Sequence, residues 1–412
     1  MATTTRERPL DLVVFGATSF VGRLLCEHLV ERHGTAGPLR WAIAGRSAER
    51  LDEVRASTGA DVERIVADAL DPEAMADMAA RARAVVSTVG PYATYGSTLV
   101  GAVAEAGTDY CDLTGEPQWM RRMIDAHGER AVRTGARLVH ACGFDSIPSD
   151  LGVLYTQQQA MMRFGAPCVR VGMRVKAASG GFSGGTIASG LAVLEELRSD
   201  PELRKVLGNP YALAPQGQRS GVEQPSVGRP RRDELSGQWI GPFLMAPVNT
   251  RVVHRSHALL GHGWGEGFRY DEAVLTGGGA GGLAKAGALA GGLAGFAGAA
   301  SIGPVRSLLQ RFVLSKPGEG PSAESRRAGF YDLRFFGTTA DGRRIETKLS
   351  GDRDPGYGST SRMLGEAAVC LMERPREALP GGFWTPATAL GEELIERLVE
   401  HAGLRFTVVE PR

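Results

Sequence analysis

The chain has 412 residues, 43% of them hydrophobic and 23% charged, and its 47 Lys and Arg against 46 Asp and Glu give a net charge of +1. That length exceeds one ordinary core and predicts two domains, while the balanced charge argues against a broad nucleic-acid footprint or a polybasic membrane surface. The five cysteines, Cys26, Cys111, Cys142, Cys168 and Cys370, are scattered with no C-x-x-C pair, so reduced thiols in the cytoplasm are expected and no zinc site is implied.

The opening MATTTRERPLDL has no apolar run of signal-peptide length, which predicts an intracellular protein, and the first strand, DLVVF, begins almost at once. It feeds into GATSFVG, where Gly16 and Gly22 bracket a tight turn opening a helix through Leu24 to Val30. A strand end, a sharp turn and a helix start leave backbone N–H groups unpaired and aimed outward, and a dinucleotide pyrophosphate satisfies them while facing the helix dipole. Gly16 permits the turn, Gly22 permits close packing of helix on strand, and Thr18, Ser19, Phe20 and Val21 complete the candidate cradle. Ser19 occupies the middle position of the usual glycine pattern, so the fingerprint is incomplete by itself.

The second strand, RWAIAG, ends in Arg46 and Ser47, where NAD-binding chains commonly place an acid against the ribose 2′-hydroxyl. A guanidinium there pairs with a 2′-phosphate and stacks on adenine, which favours NADPH over NADH; the alternative is an arginine that merely closes a surface strand. Strands and helices then alternate: a helix from Ala48, VERIVAD, a helix from Pro72, AVVSTVG, YCDLTGE after the fifth strand, and ARLVHACG. This is the pattern of a doubly wound, Rossmann-like parallel α/β sheet, with its ligand beyond the carboxyl ends of the strands. Asp68 closes the third strand, Gly90 and Pro91 close the fourth ahead of Tyr92, and the sixth runs into Asp145 and Ser146. All are expected to face one crevice, and the unit is expected to span residues 1–150.

A second, α+β domain with a mixed sheet is expected over 151–355. It starts with CVRVGMRVKAA, whose valines and Met173 alternate with Arg170, Arg174 and Lys176 as in a half-buried strand. SGGTIASGLAVLEELRSD reads as a helix, and Gly208 to Gly241 as a polar excursion with few buried positions, its Arg229, Arg231 and Arg232 on a solvated or partner-facing surface. FRYDEAVL, FYDLRFFGTT and RIETKLSG supply strands, the last two a hairpin across Ala340, Asp341 and Gly342. The Gly/Ala-rich insertion at 276–305 carries no charge between Lys285 and Arg306. Its small residues contribute little transfer energy, so it reads as an inserted lid touching lipid or an acyl chain, with a membrane span as the weaker alternative. Residues 356–412 are expected to pack back on both domains: a helix from Ser359 to Met372, GGFWTPATAL leading a last helix, and the strand LRFTVV.

Taken together, GATSFVG, AGRS, TVGPYATYG, TDYCDLTGE and ACGFDSIPSDLG resemble, in order and spacing, the saccharopine dehydrogenase-like oxidoreductases, specifically their trans-acting enoyl reductase branch. The resemblance continues through SGGTIAS, NTRVVHRS, KPGEGPS and TPATALGEELIERL and so covers nearly the whole chain. Relatives carry GATGF at the loop; Ser19 departs from that at one position. The resemblance implies NADPH-dependent reduction of a carbon–carbon double bond in an acyl chain held on a polyketide synthase or acyl carrier, feeding complex lipid or glycolipid synthesis. The family's name leaves an amino acid or imine as the alternative substrate, and a non-catalytic lipid-associated protein as a third reading. Cytoplasmic placement, with the inner face of the plasma membrane as a variant, fits either enzyme; a homodimer is one option for its assembly.

Enoyl reduction needs hydride at the β-carbon, stabilisation of the enolate and a proton for the α-carbon. Tyr92 is the first candidate for the proton or for a hydrogen bond to the thioester oxygen, its alternative being an aromatic packing under the cofactor. Asp145 and Ser146 are the other catalytic candidates, their alternative being to cap the following helix. Asp112 and Glu116 read as strand-end loop residues. His254, His257 and His262 lack a neighbouring Cys or carboxylate to complete a metal shell, and no metal is expected.

Overall fold

The computed structural model describes residues 8–180, 193, 196, 201–300 and 320–410. In chain order its strands are β1 (Leu10–Phe15), β2 (Trp41–Gly45), β3 (Glu63–Val66), β4 (Ala82–Ser87), β5 (Asp109–Asp112), β6 (Arg137–Val139) and β7 (Cys168–Ser179). They continue with β8 (Arg231–Arg232), β9 (Trp239–Pro242), β10 (Arg269–Gly277), β11 (Phe330–Thr339), β12 (Arg344–Gly351), β13 (Gly382–Trp384) and β14 (Leu404–Val409).

Two seven-stranded sheets result. The first has the order β13-β6-β5-β4-β1-β2-β3, and every pairing in it is parallel. Its central strands are apolar on both faces: Leu12, Val13, Val14, Val85 and Val86 are all buried, as a sheet covered by helices on both sides requires. The chain winds outward from β1 through β2 and β3, then restarts at β4 on the other side. This reversal opens a crevice at the carboxyl ends of β1 and β4.

The second sheet has the order β14-β12-β11-β7-β10-β9-β8; β7 and β10 run parallel and the remaining neighbours antiparallel, so it is mixed, as expected. Alternation along β11 and β12 is strict, with Tyr331, Leu333, Phe335, Ile345 and Leu349 turned into the core. Their hairpin closes on the expected turn, where Thr339 bonds Asp341.

The C-terminal segment joins the sheets. GGFWTPATAL does lead into helices, but Gly382–Trp384 is itself a strand, β13, parallel to β6, which corrects the reading of this stretch as a simple helix lead-in. A three-residue strand leaves too short an alternation to read from sequence. The helix Thr360–Glu373 covers β1, β4 and β5 beside the helix Phe20–His33, while β14 extends the second sheet from β12. Buried Arg137 on β6 binds Asp109 and also donates to the carbonyls of Leu371 and Arg374, tying the end of that helix to the first sheet.

Two expectations for the second sheet are corrected. Arg174 does not face solvent; it is fully buried between Asp233 and Asp271, each with a carboxylate oxygen 2.9 Å from its Nη2. The Gly208–Gly241 excursion is likewise anchored: Asp233 within it is that buried partner, Ala212, Leu213 and Ala214 are buried, and Arg231 of β8 lies 3.5 Å from Asp271. A cation leaves the solvent face when acids distant in sequence enclose it. The helix Gly279–Ala300 rests Gly282 and Ala286 near β9, with Leu283 and Phe296 exposed on its outer side. Among the described residues no helix is long and apolar enough to cross a membrane. SGGTIASGLAVLEELRSD, apart from Val193 and Glu196, the insertion from 301 to 305 and the first four residues of KPGEGPS lie outside the described residues.

Candidate active site

The GATSFVG turn stands at the crevice, joining β1 to the helix Phe20–His33. Gly16 has φ +88, and a methyl group there would lie 2.7 Å from both Thr88 Oγ1 and Val89 Cγ2 at the end of β4. At Gly22 a methyl would lie 2.3 Å from the Gly16 carbonyl oxygen. Ser19, the departure from the glycine pattern, caps the helix: its hydroxyl accepts the Gly22 amide at 2.9 Å and lies 2.9 Å from Thr88 Oγ1. Ser19 therefore fixes the loop against β4. The amides of Thr18, Phe20 and Val21 have no partner among the described residues and remain as donors at the positive end of the helix. Phe20 turns the other way: its ring packs edge-on to Tyr357 at 5.0 Å and lies under the Arg326 guanidinium, so its side chain is taken up by protein contacts.

At the β2 end Thr18 lies beside Gly45, Arg46 is exposed, and Ser47 caps the helix Ala48–Thr58 by accepting the Arg50 amide at 3.3 Å. Asp68, after β3, is exposed and accepts the Leu70 amide at 2.9 Å. Gly90 and Pro91 follow β4 at the crevice and start the short helix Tyr92–Tyr95.

Tyr92 does not present its hydroxyl to the crevice. It is buried, its ring 5.3 Å from that of Trp119, and its hydroxyl donates to the Ser87 carbonyl at 2.9 Å while accepting the Leu113 amide at 3.3 Å. Burial, with nearby Asp112 and Glu116, pushes its pKa well above the usual tyrosine value, which further disfavours proton release. Tyr92→Phe is expected to cost about 1 kcal/mol of stability, because the Leu113 amide loses its acceptor, while leaving turnover within roughly three-fold of wild type. Chemical denaturation and a rate measurement on the same preparation check both halves.

Asp112 and Glu116 hold the loops, as expected. Asp112 accepts the Ala141 and Thr114 amides and pairs with His140 Nδ1 at 2.7 Å; Glu116 accepts the amides of Tyr92 at 2.9 Å and Ala93 at 2.8 Å. His140 was not singled out in the sequence, and only its packing among Trp119, Phe383 and Tyr110 identifies it as a structural partner.

Asp145 is different. It lies between the loops after β5 and β6: a methyl on Gly143 would be 3.2 Å from its Oδ2, and one on Gly115 would be 3.7 Å from its Oδ1 and from Met245 Cε. It keeps partial exposure, and no other described side chain bonds it or forms an ion pair with it. Burial of the carboxyl, reinforced by the Asp112 charge, pushes its pKa up to about 7. It is an acid poised to hold or release a proton near neutrality.

Ser146 does not cap the helix it precedes. Its hydroxyl donates instead to Asn249 Oδ1 at 3.0 Å, and Asn249 Nδ2 donates to Glu272 Oε2 at 3.0 Å, so the loop after β6 is held by the second sheet. Glu272 also accepts from Tyr270 at 2.7 Å, and burial raises its pKa to about 7. Nothing in the chain order announces this link between residues 103 positions apart. His254 and His257 are buried on the helix Ala246–Leu259 and held neutral by desolvation, His257 stacked on Trp264.

A parallel dinucleotide-type sheet, an amide-bearing loop at its switch point and a mixed sheet closing the crevice define a protein of saccharopine dehydrogenase-like fold. Apo saccharopine dehydrogenase (L-Glu forming) from Saccharomyces cerevisiae shares that fold over 97% of this chain and 100% of its own, with a TM-score of 0.56 at 11% identity. No protein-family model matches the sequence. A Mycobacterium tuberculosis protein classed with the trans-acting enoyl reductases is 44% identical over 96% of both chains. The trans-acting enoyl reductases of Mycobacterium bovis BCG and Mycobacterium ulcerans are 40% and 38% identical, over 95% and 96% of this chain and 96% and 97% of their own. The chain belongs to the trans-acting enoyl reductase family of oxidoreductases.

Proposed function

We propose that this protein is an NADPH-dependent trans-acting enoyl reductase that saturates a carbon–carbon double bond in an acyl chain carried by a polyketide synthase or acyl carrier, in the assembly of complex lipids or glycolipids. Asp145 carries this reading: a partly exposed acid poised near neutrality, beside Gly115, Gly143, Leu113 and Met245.

The loop fits a dinucleotide because both glycines stand where any side chain would collide and three amides are free. Gly16, Thr18, Ser19, Val21 and Gly22 would shape the pyrophosphate cradle, with Gly90 and Pro91 bordering it, Arg46 and Ser47 on the phosphorylated ribose, and Asp68 on the adenine side. Bound there, the nicotinamide supplies hydride to the β-carbon. Asp145 holds the proton that the α-carbon requires, and Ser146, fixed by Asn249, keeps the adjoining loop in place. The exposed face of the helix Gly279–Ala300 is our candidate for contact with the acyl chain or a lipid surface.

Incubation with NADPH and carrier-bound enoyl thioesters should consume NADPH and add two hydrogens to the product. A protein that binds NADPH yet reduces none of them overturns the reading. Asp145→Asn should lower turnover roughly a hundred-fold or more, because general acid catalysis contributes about that much. In the wild type the acid must be protonated to donate, so turnover should fall as pH rises through about 7, and Asp145→Asn should lose that limb.

A further inference from the structure

The corner where β2 meets the helix Ala48–Thr58 holds more arginines than its acids pair. Arg55 pairs with Asp52 and Asp61, Arg64 with Asp52, and Arg81 with Glu63, while Arg23 lies 3.9 Å from Glu53. Arg46 and Arg50 form no side-chain hydrogen bond or ion pair among the described residues. They are four positions apart on either side of Ser47, whose hydroxyl accepts the Arg50 amide and keeps its own proton free to donate. Thr18 of the glycine loop lies against Gly45 of the same corner, so the segment that carries Arg46 and Arg50 starts beside the candidate dinucleotide site. Two guanidinium groups left without partners offer charge-assisted hydrogen bonds to a dianion placed between them.

We propose that Arg50 is a second ligand to the 2′-phosphate of the dinucleotide, closing on it with Arg46 across Ser47. This rests on the cofactor assignment above and adds a specificity-determining residue to it. An NADH-type ribose, with only a hydroxyl at that position, offers these groups no charge to hold.

The test is binding, which needs no knowledge of the acyl substrate. Dissociation constants for NADPH and NADH are measured by nicotinamide fluorescence on the full chain, with displacement by 2′,5′-ADP and by ADP, for wild type, Arg46→Ala, Arg50→Ala and the control Arg55→Ala. Arg50→Ala should weaken NADPH and 2′,5′-ADP roughly ten-fold or more and leave NADH and ADP within about two-fold, as loss of a charge-assisted contact predicts. Arg55→Ala should bind all four as wild type does. If Arg46→Ala loses NADPH affinity and Arg50→Ala does not, the role of Arg50 is overturned while the cofactor assignment stands. A wild type that prefers NADH, or binds neither, overturns the assignment itself.

Discussion

Replacing Gly22 by alanine is expected to abolish dinucleotide binding, raising the dissociation constant at least a hundred-fold. The added methyl would lie 2.3 Å from the Gly16 carbonyl oxygen, 2.8 Å from Ala17 Cα and 2.9 Å from Ser19 Oγ. Two of these three are main-chain atoms of the loop itself, so no rotamer change relieves the clash. The helix Phe20–His33 must draw away from β1, and the Phe20 and Val21 amides proposed to hold the pyrophosphate move with it. Overpacking of this kind costs about 1–3 kcal/mol, which leaves the protein folded and makes the binding loss interpretable. Gly34→Ala is the matched control: that glycine ends the same helix at φ +69 and ψ −166, a backbone conformation essentially confined to glycine, with open space around it, so stability should fall by about 1–3 kcal/mol while binding should not change. Fluorescence titration with NADPH beside circular dichroism separates the two effects. Wild-type affinity in Gly22→Ala would remove the loop from the binding site.

Removal of Glu366 should produce the largest loss of stability. This carboxylate, 1% exposed on the helix Thr360–Glu373, accepts from His28 at 2.9 Å, Arg32 at 3.4 Å and Arg397 at 3.0 Å. It thus joins the helix after the glycine loop to two C-terminal helices. Glu366→Ala takes the acceptor from buried His28 and the carboxylate from Arg32, while Arg397 keeps Glu373, and breaking a buried pair from one side costs about 3–5 kcal/mol. Burial by itself would raise the Glu366 pKa, but His28, Arg397 and Arg32 hold it down at about 2. Because the folded-state pKa lies below the unfolded one, the stabilisation is fully present above about pH 4.5 and is lost as pH falls toward 2. The difference between wild type and Glu366→Gln, read by urea denaturation, should therefore shrink steadily between about pH 5 and pH 2. A difference independent of pH would show that shape, not charge, holds the joint. Asp150 and Glu272 act with the opposite sign: burial lifts each to about 7, so their contribution declines as pH rises from about 4 toward 7.

Much of the architecture was legible because it rests on local rules. Short apolar runs separated by helices imply a parallel covered sheet, and strict alternation in FYDLRFFGTT and RIETKLSG implies a half-buried hairpin. GATSFVG could be placed for the same reason: a turn between strand and helix needs glycine wherever a Cβ meets backbone, and Gly16 and Gly22 both do. The strand β13 escaped notice because three residues carry no readable period, and its place in the first sheet depends on β6, more than two hundred residues earlier.

The site divides along the same line. Tyr92 stood out because Gly90 and Pro91 set its position, but only its contacts with Ser87, Leu113 and Trp119 show that the hydroxyl faces inward. Arg174 read as a solvent-facing residue until Asp233 and Asp271 closed around it. Ser146 read as either a catalytic hydroxyl or a helix cap until Asn249 claimed its hydroxyl. By itself the sequence determined the alternating sheet, the phosphate-type loop and the cation at the end of β2, since each follows from residues adjacent in the chain. Tertiary structure alone decided which candidate side chain stands as an acid poised near neutrality. The pKa of Asp145 is set by desolvation and by the charge of Asp112, and both arise from loops that meet only after the chain has folded.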